Sequence, residues 1–134
     1  MNVLVDTFAW VELILGSAKG QRVEEVIGEA ESVYTVDTVL AELSRKYLRE
    51  NIPEKTVRER LQLLQHVSHI LHITPELALS AGKAYLELSR KAKDEKLDQP
   101  SLFDGIVLGV ARSKDAKVVT GDPHFKNLQE TLWV

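Results

Sequence analysis

Short apolar runs alternate with longer segments of helical period along this chain. VLV at 3–5, SVYTV at 32–36, HILHI at 69–73 and AKVVT at 116–120 are bounded by polar residues, which predicts strands buried on both faces; TLWV at 131–134 suits a last strand. Between them the period lengthens. Phe8 to Leu15 stops at Gly16, and Gln21 to Ala30 puts Val23, Val26, Ile27 and Ala30 on one face. Asp37 or Thr38 can cap a helix reaching about Arg49, and Pro53 suits the first turn of another reaching about Gln65. From Pro75, the residues Leu77, Ala78, Ala81, Ala84, Tyr85 and Leu88 recur at helical spacing before the pattern dissolves into KAKDEKLDQPS, which reads as a polar loop. SLFDGIVLGVAR at 101–112 is apolar on nearly every side, as in a buried helix. Strands separated by helices need crossover connections, which are right-handed. The expected architecture is therefore an α/β, three-layer domain around a mainly parallel sheet of about five strands, spanning 1–134 without linker or repeat.

Composition narrows the chemistry. The 134 residues are 44% hydrophobic and 28% charged and contain no cysteine, so disulfides, thiolate nucleophiles and Cys-ligated zinc are excluded and a reducing compartment is expected. Asp6 and Glu12 interrupt the N-terminal apolar stretch and no run of 18 apolar residues occurs, so the chain is expected to be cytoplasmic, with no membrane contact. A net charge of -3 attracts no polyanion as a whole; nucleic-acid binding has to rest on local basic patches or on metal ions.

The acids are the residues to place next. Ligands of open α/β sheets bind beyond the carboxyl ends of the strands. Asp6 directly follows the first strand, Glu42 lies about one turn into the helix after the second, and Asp122 follows the fourth in VVTGDPHF. Asp104 falls in the first turn of the apolar helix, where the helix dipole favours an anion by about 0.3–1 kcal/mol but an ionised carboxylate still needs a cation, a proton or a metal. Plainer explanations exist for each acid alone. Asp6 can cap the helix at 8–15, Asp122 can cap one beginning at Pro123, and Glu42 can be a solvated helical glutamate. Together, the four point to a shared pocket.

At these residues the chain resembles PIN domains, in particular the VapC ribonuclease toxins of prokaryotic toxin–antitoxin pairs. VLVDTFAWVEL is similar to their first strand with its acid and hydroxyl, and VDTVLAEL to the segment bearing the second acid. SLFDGIVLGVAR resembles the helix bearing the third, and VVTGDPHFKNL the strand-then-acid signature with its phenylalanine. Each motif is weak; their order over nearly the whole chain carries the resemblance. It implies a catalytic pocket of Asp6, Glu42, Asp104 and Asp122, with Thr7 and Thr120 as polar support. Oxygen ligands suit Mg²⁺ or Mn²⁺ better than zinc. Asp6 and Asp104 are expected as direct metal ligands, with Asp122 and Glu42 binding directly or through water. Without metal, mutual repulsion should raise at least one carboxyl pKa. Metal-activated water attacking in line would leave a 5′-phosphate and a 3′-hydroxyl on RNA. The resemblance further implies a homodimer and a VapB-like antitoxin, whose arginine can pair with the acids. Gly105 stands where relatives often carry a small side chain, a change expected to be tolerated; Gly121 is expected to add flexibility before Asp122.

An acidic pocket alone repels RNA. Candidate compensating charges are Arg45, Lys46 and Arg49 beyond Glu42, Lys91, Lys93 and Lys96 before the apolar helix, and Arg112 with Lys114 near its end, although each singly reads as a solvated charge. His66, His69 and His72 recur every third residue, but the odd spacing of the last two in a strand points them to opposite faces, against a shared zinc site. His124 either faces the pocket or lies on the surface. Trp10 and Trp133 suit core or dimer packing rather than base stacking. A receiver-like phosphorylation domain needs an acceptor aspartate after its third strand, where HITPE stands, and an aspartyl phosphatase needs a second aspartate where Phe8 stands. The remaining alternative is a noncatalytic PIN-like module that binds RNA or protein. Crowded acids argue against it, because binding alone needs no such repulsion.

Overall fold

The computed structural model describes residues 1–134. Its sheet has the order β3-β2-β1-β4-β5, from β1 (Asn2–Val5), β2 (Ser32–Val36), β3 (His69–Leu71), β4 (Ala116–Thr120) and β5 (Thr131–Trp133), and every pairing is parallel. The continuous apolar runs occupy the centre. Val3, Leu4 and Val5 of β1 and Val118 and Val119 of β4 are fully buried, as strands covered on both faces require. The edges differ. β3 ends at Leu71, two residues short of the apolar run, because the chain leaves the ladder and Ile73 donates its N–H to the Asp37 carboxylate at 3.4 Å.

From β1 to β2 the chain passes through α1 (Thr7–Leu15) and α2 (Ala18–Glu29), and from β2 to β3 through α3 (Asp37–Arg49) and α4 (Glu54–Val67). Both steps move the same way across the sheet, so right-handed crossovers put these helices on one face. The step from β3 to β4 reverses direction. It carries α5 (Pro75–Asp94) and α6 (Leu102–Ser113) to the other face, which makes three layers. α5 runs past Leu88 through the first part of the segment expected as loop. Ala92, one turn beyond Leu88, is buried on the same face, and Lys91 pairs with Glu95 at 2.5 Å.

α5 and α6 approach closely because glycines face the contact. A Cβ at Gly105 would lie 2.6 Å from Tyr85 Cβ, and one at Gly109 would lie 2.6 Å from the Ala81 backbone nitrogen. Gly105 is thus demanded by packing rather than merely tolerated. Trp10 and Phe125 are fully buried, whereas Trp133 is 43% exposed beneath Lys126 and does not belong to the core. No helix is long and apolar enough to cross a membrane.

The reversal of strand order falls between β1 and β4. Connections diverge there, opening a crevice at the carboxyl ends of the two strands, where Asp6 and Asp122 stand.

Candidate active site

Asp6 occupies the N-cap position of α1 in extended conformation, yet its carboxylate caps nothing. It accepts the Thr120 hydroxyl at 2.9 Å instead. The same hydroxyl oxygen accepts the Asp122 N–H at 3.1 Å, so Thr120, itself fully buried, ties the ends of β1 and β4 together. Asp6 is only 5% exposed. Burial pushes its carboxyl up to about 7; the Thr120 bond opposes this, and repulsion from Asp104 and Asp122 adds to it.

Asp104 comes from the first turn of α6, where a capping box fixes it. Its carboxylate accepts the Ser101 N–H at 2.9 Å, and Ser101 Oγ accepts the Asp104 N–H at 3.3 Å. The acid is half-buried. Burial raises its pKa, the Ser101 N–H lowers it, and Asp122 repulsion raises it again. Of the partners expected for this acid, none is a lysine or arginine; part of the requirement is met by the Ser101 backbone. The local signal for this cap is the Ser-x-x-acid spacing of SLFD.

Asp122 caps the short 3₁₀ turn Pro123–Phe125, accepting the His124 N–H at 2.9 Å. Its Oδ1 also lies 3.0 Å from His124 Nδ1, and His124 Nε2 lies 2.6 Å from the Asp98 carbonyl oxygen. Burial lowers the imidazole pKa, but the Asp98 carbonyl and the Asp122 carboxylate outweigh it and the net shift is upward. Asp104, Asp122 and His124 each bring a ligand atom within 4.8 Å of the others. Of the two placements open for His124, the structure has the one facing the pocket.

Glu42 lies on α3 outside that tight group and accepts the Thr7 hydroxyl. Thr7 therefore orients Glu42, as Thr120 orients Asp6. All four acids line one cavity of about 420 Å³, together with Thr7, Phe8, Gln99, Ser101 and His124. Gly121 serves packing rather than flexibility: it is buried, and a Cβ there would lie 2.5 Å from a carbon of the Phe8 ring.

The basic candidates separate by position. Arg45, Lys46 and Arg49 line a depression of about 490 Å³ that shares Thr7 and Glu42 with the acidic cavity. The Arg45 guanidinium stands 5.9 Å from the Phe103 ring centre, and Lys46 pairs with Glu50 at 2.7 Å. Lys93 and Lys96 are exposed at the end of α5 and in the following loop. Arg112 departs from its expected role. It sits eight residues beyond Asp104, about 12 Å along the helix axis, and pairs with Glu87 and Glu130, each at 2.7 Å. Lys114 shares that far end. His66, His69 and His72 join no group of metal-ligand side chains; His69 packs against Tyr34, and His72 lies 3.4 Å from Asp37.

The donor set fits a hard divalent cation. No lysine or arginine lies within ion-pair distance of any of the four acids, and Asp122 has only His124. A buried carboxylate held near 7 with no cation beside it is the condition that a bound metal relieves.

A family model described as PIN domain matches residues 3–130. No curated protein matches the sequence. Among solved structures, VapBC2 from Rickettsia felis, bound to a promoter DNA fragment, is 17% identical with a TM-score of 0.71, covering 100% of this chain and 98% of that one. VapC20 of Mycobacterium tuberculosis, described as a Sarcin-Ricin loop cleaving toxin, is 20% identical with a TM-score of 0.69 over 92% of each chain. VapBC-1 of nontypeable Haemophilus influenzae is 15% identical with a TM-score of 0.72, covering 100% and 97%.

Proposed function

Because the chain belongs to the PIN domain family, we propose that it is a metal-dependent endoribonuclease, the VapC-type toxin of a toxin–antitoxin pair, acting in the cytoplasm. The observation that carries this reading is the buried, cation-free Asp6 facing Asp104 and Asp122 across one cavity. Binding alone gives no reason to keep such mutually repelling groups together.

In this reading Asp6, Asp104 and Asp122 hold one or two divalent cations, Mg²⁺ or Mn²⁺, and Glu42 completes the pocket directly or through water. When bound, the cation supplies a Lewis acid that activates water and neutralises charge on the scissile phosphate. Thr120 fixes the direction of the Asp6 carboxylate. Thr7 does the same for Glu42, so the two acids reach the reacting centre already oriented. Phe8, whose ring packs against the buried Gly121, lines the apolar side of the cavity. Arg45, Lys46 and Arg49 line the adjoining depression and offer a path for the RNA backbone, with Lys93 and Lys96 on the α5 side. Arg112, committed to two glutamates, is not part of that path. Attack by water gives a 5′-phosphate and a 3′-hydroxyl.

The VapBC neighbours support a VapB-like antitoxin as partner. An arginine from it has carboxylates to pair with in this pocket, and a homodimer is the proposed assembly. The reading is tested by mapping RNA ends across total cellular RNA after brief induction. New 5′-phosphate ends at defined positions are expected with the wild type and not with Asp104→Asn. Identical end maps for the two would overturn it.

A further inference from the structure

Phe103 is an aromatic side chain that the core does not use. It is half-buried beside Asp104 in the first turn of α6, yet it belongs neither to the core nor to the partly buried apolar residues packed against the core. Its neighbour Leu102 is 59% exposed. A charge lies over the ring instead: the Arg45 guanidinium stands 5.9 Å from the ring centre, as in a cation–π pair.

The placement of Arg45 is informative. Glu42 precedes it by three residues on α3, a spacing at which opposite charges pair along a helix. Arg45 nevertheless forms no ion pair with Glu42 or with any other carboxylate. Glu42 accepts the Thr7 hydroxyl, and Arg45 stays exposed against the ring. Glu42 and Asp104 both line the acidic cavity, and Arg45 lines the basic depression beside it. The pair therefore stands where the acids meet the basic surface, contributed by two helices from opposite layers of the domain.

These are the two properties that hold an unpaired nucleotide: a ring or guanidinium plane stacks its base, and the cation attracts the adjoining phosphate. Bases inside a duplex are already stacked on one another and have no free face to offer. We propose that Phe103, with Arg45 over it, is the base-stacking subsite for the nucleotide next to the scissile phosphate, which makes the substrate an unpaired segment of RNA. The proposal rests on the nuclease reading of the acidic pocket and adds to it the group that grips the strand.

The test is steady-state cleavage of an unstructured RNA with Mg²⁺ or Mn²⁺, alongside a set of the same RNA in which each nucleotide around the cut in turn lacks its base. For wild type, one abasic position next to the cut should raise KM about 10-fold with kcat little changed, as expected when an interaction shared by ground state and transition state is lost. Phe103→Leu should raise KM for the intact RNA by a similar factor and be indifferent to that missing base, because both changes remove one contact. Phe103→Trp should restore the low KM and the sensitivity together. If Phe103→Leu does not fold by circular dichroism, Arg45→Gln, at an exposed position, takes its place and should weaken the sensitivity at the same nucleotide. Additive losses in the variant, or no sensitive position in wild type, overturn the subsite and leave metal-dependent cleavage standing. No cleavage by wild type with either metal overturns both.

Discussion

Replacing Asp6 with asparagine should stabilise the metal-free chain at pH 8, although it removes an acid from the centre of the pocket. Asp6 is 5% exposed, and its carboxyl sits at about 7 against an ordinary 3.8. The folded chain therefore holds this proton more tightly than the unfolded chain. Stability is full below about pH 4, falls as the unfolded state loses the proton first, and stays reduced above about pH 7. At 1.36 kcal/mol per pKa unit the whole difference is about 4 kcal/mol; relaxation around the charge leaves an expected effect of about 2–4 kcal/mol. Asparagine keeps an oxygen to accept the Thr120 hydroxyl, so the substitution removes the charge and little else. Urea unfolding in EDTA, followed by circular dichroism, measures it. The variant should match wild type within about 1 kcal/mol at pH 4.5 and exceed it at pH 8. Mn²⁺ at pH 8 should then stabilise wild type more than the variant, since a ligand of the folded state adds stability with its concentration. A variant less stable than wild type at pH 8 in EDTA would refute the view of Asp6 as a buried charge awaiting a cation.

Thr7→Val removes the hydroxyl that orients Glu42 while conserving volume; RNA turnover should fall about 10-fold, with the melting curve little changed. Gly109→Ala drives a methyl group into the Ala81 and Ser80 backbone, and denaturant unfolding should show a loss of about 1–3 kcal/mol. Arg112→Ala breaks partly solvent-screened pairs to Glu87 and Glu130; it should cost about 1 kcal/mol in the same assay and leave RNA cleavage unchanged.

The readable parts of the fold are those whose cause is local. β1 and β4 appear as unbroken apolar runs because both faces of each are covered, and the acids at their ends follow from where such sheets bind ligands. The α6 cap is equally local, carried by the Ser-x-x-acid signature of Ser101 and Asp104. Long-range partners left no local signal. One buried alanine, Ala92, extends α5 through a run of charges that reads as loop. Arg112 looks like any basic residue until the fold brings Glu87 and Glu130 to it. Gly121 suggested flexibility, but the Phe8 ring packed against it is more than a hundred residues away in sequence. His124 was open between pocket and surface because the Asp98 carbonyl that its ring contacts lies 26 residues away in sequence.

Cleavage of an unstructured, fluorescently labelled RNA by the purified chain, with Mg²⁺ or Mn²⁺ and with EDTA, tests the central claim most directly. The expected result is cleavage with metal, giving 5′-phosphate and 3′-hydroxyl ends, and none in EDTA. Asp104→Asn, in which the side-chain oxygen can still accept the Ser101 N–H, should fold like wild type and cleave nothing. Undiminished cleavage in EDTA, or by the folded Asp104→Asn protein, would contradict a nuclease centre built on these acids.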